Sequence, residues 1–269
     1  MLTTFRPFVG GFLSEAEGWR WVQGLMAIFT GVLWIIGALT IPETYSPVIL
    51  RRRAKKLSQI TGKVYKSKIE VDDGAKTIPQ EFKTALSRPW IMLFMEPIVL
   101  ILSIYMAIVY GTLYMMFAAF PIVYQRDRGW SSGIGGLAFI GVAVGMMIAA
   151  GYSIWDNKRY KTIESEHNGH APPEARLPPC MLGSISLPIG LFWFAWTNYA
   201  SIHWSVSIIG TAPFGFGMVL VFLSIMNYLI DAYVIYAASV LAANSVLRSL
   251  FGAAFPLFTS RKSLFLIGL

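Results

Sequence analysis

The sequence has little charge and almost no cysteine. Only 13% of its 269 residues are charged, whereas a soluble domain carries about 25%. Cys180 is the one cysteine, so an intramolecular disulfide is excluded. The three histidines form no set with metal-ligand spacing, and no nucleophile elbow, H-E-x-x-H or phosphate-binding loop occurs. We therefore expect a protein that is not an enzyme and has no catalytic, metal or cofactor site.

Long apolar runs are what the sequence does contain, since 55% of the residues are hydrophobic. Six runs are long enough to cross a bilayer as helices. They lack the alternation of a membrane barrel, and only helices or closed barrels satisfy the backbone in lipid. The sequence therefore predicts an all-α membrane protein with about six transmembrane helices. These predicted spans are 19–41, 90–120, 133–155, 181–197, 204–229 and 237–258.

The basic residues indicate how the spans are oriented. Residues 51–89 hold 11 of the 22 Lys and Arg residues and begin with RRRAKK, and such loops stay cytoplasmic. We therefore predict a solvated cytoplasmic central loop at 42–89, with a turn at 72–74, followed by a carboxyl-terminal bundle of five helices at 90–258. The loop at 156–180 would lie on the same side. The alternative interpretation of RRRAKK is a nucleic-acid or lipid patch, but topology explains the charge, so we expect no nucleic-acid partner.

The second span carries a polar and aromatic stripe. A polar stripe on a membrane helix faces protein or a water-filled cavity rather than lipid. One interpretation is that Glu96 is a proton-coupling carboxylate beside an aromatic wall for a flat or cationic solute. The other, which we favour, is that Glu96 binds backbone groups freed by Pro97. Helical spacings of 7, 7, 4 and 3 place the following residues on this stripe: Glu96, Ser103, Tyr110, Tyr114 and Phe117.

The fifth and sixth spans each carry a polar pair at a spacing of four residues, which places both members on one helix face. In the fifth span the pair is Asn227 and Asp231. Asp231 is interpreted either as a proton site or as a cap or salt-bridge partner of a loop arginine. In the sixth span the pair is Asn244 and Arg248.

Arg248 is the only charge in 237–258. A guanidinium at the centre of a spanning helix costs about 2.5–3.5 kcal/mol on insertion scales, so it is expected to face an interior. It would bind an anionic group or, as we favour, pair with Glu96 or Asp231. Close helix packing is also expected here, because small residues recur at four-residue intervals. This ridge consists of Ser245, Ser249 and Ala253.

Glycines mark two further spans. The spacing of Gly141 and Gly145 in the third span indicates helix packing. In the fifth span, small or helix-breaking residues are interpreted as lining a substrate site, as bending points or simply as packing positions. These residues are Gly210, Pro213, Gly215 and Gly217.

Four segments carry a family resemblance. They are PFVGGFLSEAEGWRW, with Pro7, Gly10 and Gly11, then PETYSPVILRRRAKKL, SRPWIMLFMEPIVLILSIYMAIVYG and NYLIDAYVIYAASVLAANSVLRSLFGAAFPLF. Together they resemble fungal drug:proton antiporters of the major facilitator superfamily, of the polyamine and multidrug-resistance type. The resemblance covers roughly residues 5–259.

The resemblance implies a twelve-helix fold in which the six spans correspond to helices 6–11. Residues 1–18 would be the remnant of a preceding helix and an external turn, and 259–269 a non-native tail. The missing transporter half would then be needed to complete the fold.

The function implied is proton-coupled efflux of drugs or polyamine-like cations across the plasma membrane, driven by the proton gradient without a cofactor. The partners would be the lipid bilayer, a small solute and the proton. The alternative is a truncated membrane fragment that does not transport. The candidate solute or proton sites are Glu96, Tyr110, Tyr114, Asn227, Asp231, Asn244 and Arg248.

Overall fold

The chain forms two compact units, one of residues 20–87 and one of residues 1–19 and 88–269. The structure, a computed structural model, describes residues 2–68, 71, 78–167, 171–199 and 201–266. The turn predicted at 72–74 lies outside the described residues.

The unit of residues 20–87 contains most of helix α2 (Trp19–Thr40), helix α3 (Ser46–Thr61) and the start of helix α4 (Ile78–Met95). Helix α3 begins with a proline in its first turn and ends at Gly62, whose φ of 70° suits glycine. The segment predicted as a solvated loop is therefore largely helical. Hydropathy detects only continuous apolar runs. Arg, Lys, Gln and Leu favour helix without forming such a run, so helices of this kind are missed.

The other unit contains the remaining helices. They are α1 (Leu2–Glu17), α5 (Pro97–Phe120), α6 (Ser132–Leu137), α7 (Ile140–Glu166), α8 (Pro178–Thr197), α9 (Trp204–Ala232) and α10 (Ala237–Leu266). A π-helical turn (Pro121–Arg126) extends α5, and a 3₁₀ turn (Pro173–Arg176) precedes α8.

Six helical segments of the described chain are long and apolar enough to cross a membrane, which confirms the predicted number. They are Trp19–Thr40, Pro97–Arg126, Ser132–Glu166, Pro173–Thr197, Trp204–Ala232 and Ala237–Leu257.

Two predicted boundaries differ from the structure. The span predicted at 90–120 is not one helix, because Glu96 is extended (φ −106°, ψ 100°) between α4 and α5. Pro97 explains this break, since proline disfavours helical geometry in the residue before it. The third span continues past 155 to Glu166, so part of the predicted loop at 156–180 is helix. An Asp156–Arg159 ion pair of 2.7 Å supports this polar extension.

The core of the larger unit is aromatic at one end and glycine-rich along its length. The Phe120 ring lies 4.5 Å from that of Phe139 and 5.2 Å from that of Phe194. Tyr124 is buried beside this cluster, and its hydroxyl is 2.8 Å from Ser207 Oγ. These contacts join α5, α8 and α9 near the π-helical turn.

Glycine allows the backbones of α7, α8 and α9 to touch. A Cβ on Gly141 would overlap the carbonyl oxygen of Ile208, and one on Gly145 would overlap that of Ala212. The packing role predicted for this pair is confirmed. A Cβ on Gly217 would lie 2.8 Å from Leu187 N, and α9 continues through Pro213. Packing is thus the interpretation that the structure supports for the fifth-span glycines.

The two ends of the chain are helical where they are described. Helix α1 ends before Gly18, whose φ is 82°. Glu15 Oε2 accepts a 3.1 Å hydrogen bond from Gly133 N at the start of α6. Helix α10 continues through residues 259–266, while 267–269 lie outside the described residues. The origin proposed for 259–269 stays a prediction.

Candidate functional site

Arg248 lies at the middle of α10 and faces aromatic rings from two other helices. Its guanidinium carbon is 5.1 Å from the ring centroid of Tyr110 on α5 and 5.5 Å from that of Phe222 on α9. All three side chains are half-buried. The rings stabilise the cation through their π faces. They do not satisfy the five N–H donors of the guanidinium, which form no hydrogen bond within the described part of the chain.

Two tyrosines extend the aromatic surface beside Arg248. The hydroxyls of Tyr110 and Tyr114 are 3.1 Å apart, and their rings are 4.8 Å apart. Phe117 continues the row, 5.9 Å from Tyr114. The stripe predicted on the second span therefore faces neighbouring helices over this stretch.

A cleft of about 460 Å³ opens beside Tyr114 and Phe117. Its other lining residues include Gly11 and Ser14 of α1, Gln125 of the π-helical turn and Phe139. Small-molecule sites have volumes of about 300–1,000 Å³. The aromatic row thus connects Arg248 with a cleft of ligand size.

Asn244 lies one turn before Arg248 and is fully buried. Its Nδ2 donates to Ser103 Oγ at 3.4 Å and lies 3.2 Å from Met106 Sδ. Its Oδ1 has no hydrogen-bond partner among the described residues. A buried polar atom without a partner costs stability. The stability of the described fold therefore does not explain why an amide stands at position 244.

Glu96 lies at the break between α4 and α5 and accepts a hydrogen bond from Tyr233, the residue that follows α9. Its Oε2 accepts a 3.0 Å hydrogen bond from the hydroxyl of Tyr233, which follows the end of α9. Burial raises the pKa of Tyr233, and the hydrogen bond to Glu96 raises it further. The tyrosine therefore stays a donor at neutral pH. A structural role for Glu96 is supported, although its partner is a side chain and not the freed backbone that we predicted.

Asp231 lies near the end of α9 and forms an ion pair. Its Oδ2 is 3.0 Å from Arg176 Nε and accepts a 3.0 Å hydrogen bond from the Tyr160 hydroxyl. The Arg176 guanidinium also stacks 3.3 Å above the Tyr160 ring. The predicted salt bridge to a loop arginine is confirmed. Asn227, one turn earlier, is half-buried and forms no hydrogen bond within the described part of the chain.

Two predictions about the sixth span are wrong. Arg248 pairs with neither Glu96 nor Asp231: its guanidinium lies against the rings of Tyr110 and Phe222, and the cation paired with Asp231 is Arg176. The small-residue ridge is not a packing surface in this chain, since all three of its residues are exposed. The buried face of α10 lies to one side of it and includes Val240, Ala243 and Gly252. The ridge members are Ser245, Ser249 and Ala253.

Sequence reasoning also missed residues that contact the candidate site residues. Phe222 and Tyr233 were not singled out, because aromatic residues are common in apolar spans. Arg176 and Tyr160 are distant from Asp231 in the chain, so no helical spacing connects them with it. The absence of any other charge in 237–258 was the one signal that identified Arg248.

The sequence comparisons agree with this arrangement of helices. A profile of the Major Facilitator Superfamily matches residues 2–256. The chain belongs to the Major Facilitator Superfamily. As a superfamily member with six apolar helices among its described residues, it is a multi-pass membrane protein. No solved structure matches it significantly.

Fungal members of the Major Facilitator Superfamily are similar over nearly the whole chain. The MFS-type efflux pump MFS2 of Trichophyton rubrum is 69% identical over 94% of the chain. The multidrug transporter mdrA of Aspergillus fumigatus is 66% identical over 92%, and the efflux pump FUB11 of Gibberella fujikuroi is 58% identical over 94%. The chain spans 44%, 41% and 44% of the lengths of these three relatives. These names are those of transporters, not of enzymes.

Proposed function

We propose that these helices are part of an efflux transporter that moves small aromatic molecules across the plasma membrane, coupled to protons. The observation that carries the proposal is the environment of Arg248. A half-buried cation lies in mid-helix between two rings, without a hydrogen-bond acceptor in the described chain. The names of the relatives, efflux pump and multidrug transporter, support the same function.

The charge of the site supports an anionic or neutral aromatic solute over a polyamine-like cation. A carboxylate or phenolate would supply the acceptors that the Arg248 guanidinium lacks, and an aromatic ring would stack on Tyr110 or Phe222. A polyamine would instead place a second cation beside Arg248, which costs energy in a site of low dielectric.

Glu96 is the better candidate for proton coupling. Asp231 is held in an ion pair with Arg176, so its charge is compensated within the protein. Glu96 has no cation within ion-pair distance in the described chain, and the one hydrogen bond it has comes from the neutral Tyr233. Of the two carboxylates, Glu96 is thus the one whose charge no described cation compensates.

The orientation follows from the basic residues. We place the segment 42–89 in the cytoplasm because it carries half of the Lys and Arg residues. Glu96 then lies towards the cytoplasmic end of α5, and the 460 Å³ cleft lies towards the outside.

A chimera tests the proposal. In an efflux-deficient yeast, this chain would replace the matching region of the Trichophyton rubrum pump, and export of fluorescein, an aromatic anion, would be measured. We expect Arg248→Ala to raise the half-saturating fluorescein concentration roughly 10- to 100-fold, the range for losing charge-assisted hydrogen bonds. Arg248→Lys should be intermediate, since lysine keeps the charge but not the planar fork.

Ser249→Ala is the matched control. Ser249 is adjacent to Arg248 in the chain, is exposed, and its hydroxyl binds only Ser245 O of the same helix. It should leave export unchanged, with all variants compared at equal surface amounts. Export by Arg248→Ala at the rate of the unmodified chimera would refute the site, and a well-expressed chimera without export would refute the function.

A further inference from the structure

Helix α3 follows a membrane span almost directly. Helix α2 ends at Thr40 and α3 begins at Ser46, so five residues connect them. Even when fully extended, these cover at most about 18 Å. The start of α3 is therefore held close to the membrane surface.

Helix α3 has an apolar face that is open to solvent. Leu50, Leu57 and Ile60 are 38%, 48% and 81% exposed, and their spacings of seven and three place them on one side of the helix. We call these three residues the leucine face. Soluble surfaces rarely leave adjacent apolar residues exposed without an interaction partner.

Basic residues occupy the remaining surface of α3. Five of its 16 residues are Lys or Arg, all of them exposed. Arg53 lies within the leucine face, where its apolar stem can lie along the surface while its guanidinium reaches outwards. None of the five forms an ion pair with any described residue. The members are Arg51, Arg52, Arg53, Lys55 and Lys56.

We propose that α3 lies flat on the membrane beside α2, with the leucine face at the acyl boundary and its basic residues on anionic lipid headgroups. Helices with these two faces bind in this way. If the basic residues served only to keep this segment in the cytoplasm, their charge alone would be enough. That role does not explain why an exposed apolar face lies beside them.

The covalent connection makes this binding effective. Each basic residue near an anionic surface contributes about fivefold to partitioning, before screening by salt. Because α2 holds α3 at the surface, docking is intramolecular and needs little intrinsic affinity. Anionic lipid should therefore order α3 in the intact chain.

Site-specific labelling of the whole chain tests the proposal. With Cys180→Ser as background, a single cysteine would be placed by Ile60→Cys on the leucine face or by Gln59→Cys on the opposite side. Both positions are exposed, so a bimane label disturbs little packing. The chain would be reconstituted in nanodiscs of brominated phosphatidylcholine, with or without phosphatidylserine.

We expect quenching at position 60 to exceed that at position 59 at least twofold when phosphatidylserine is present. Replacing all five basic residues by Gln should reduce quenching at 60 to the level at 59. Replacing the three arginines by Lys, which keeps the charge, should preserve it. Circular dichroism would establish that the Gln variant keeps its helices.

Equal quenching at 59 and 60 would overturn the proposal. So would quenching at 60 that depends on neither phosphatidylserine nor the basic residues. A label at 60 that no lipid quenches would overturn it as well, because the leucine face would then not reach the acyl region. None of these outcomes depends on transport, so this experiment tests the membrane contact of α3 independently of the proposed function.

Discussion

The contact between α7 and α9 at Gly145 gives the sharpest test of the fold. A Cβ at Gly145 would overlap the carbonyl oxygen of Ala212 and lie 2.9 Å from Phe216 N. Both neighbours are backbone atoms of a continuous helix, so no side chain can rotate away. In Gly145→Ala the two helices must separate, and overpacking of this kind costs about 1–3 kcal/mol.

Gly151 provides the matched control on the same helix. It is exposed, and a Cβ there would meet nothing within 4 Å. Gly151→Ala should therefore show only the helix propensity gain of about 0.5–1 kcal/mol. Because the propensity gain is common to both variants, they should differ by the overpacking cost of about 1–3 kcal/mol, or roughly 2–12 °C in melting temperature for a chain of this size.

Tryptophan fluorescence during heating of the detergent-solubilised chain would measure both melting temperatures. Equal melting temperatures for Gly145→Ala and Gly151→Ala would refute the argument, because they would mean that α7 and α9 do not touch at their backbones.

Two further predictions concern polar contacts between helices. Arg176→Gln and Asp231→Asn should each destabilise by about 1–2 kcal/mol. The double variant should cost less than the sum of the two, since both remove the same ion pair. Fully additive losses in chemical unfolding would contradict the ion pair. Asn244→Leu should unfold at the same temperature or higher, because it removes a buried oxygen without a partner, while export by the chimera should fall; full export would contradict a role in the site.

The number of spans and their apolar character could be predicted from the sequence, because lipid demands long apolar helices. The break in the helix at Glu96 could also have been predicted, since Pro97 disfavours helical geometry in the residue before it. Helix α3 and residues 78–89 of α4 were missed because polar sequence was equated with irregular structure. Their residues favour helix, but they are not long apolar runs.

The site could be predicted only in part. Helical spacing correctly grouped Tyr110 with Tyr114 and Asn244 with Arg248, because these pairs are local. The partners across helices could not be found in this way. Spacing within one helix does not determine which face of α9 meets α10, so Phe222 was missed. For the same reason Arg248 was predicted to pair with Glu96 or Asp231, whose partners in the structure are Tyr233 and Arg176.

The glycine contacts also determine where the protein can move. Helices α7 and α8 each meet α9 backbone to backbone. Such surfaces cannot slide without steric overlap, so we expect these three helices to move as one rigid body. Helix α10 meets α5 differently, through the rings of Phe255 over Gly111 and Tyr110 over Gly252. Rings at the ends of rotatable bonds can be rearranged. We therefore expect α10, which carries Arg248, to shift against α5 more easily than α7 and α8 shift against α9.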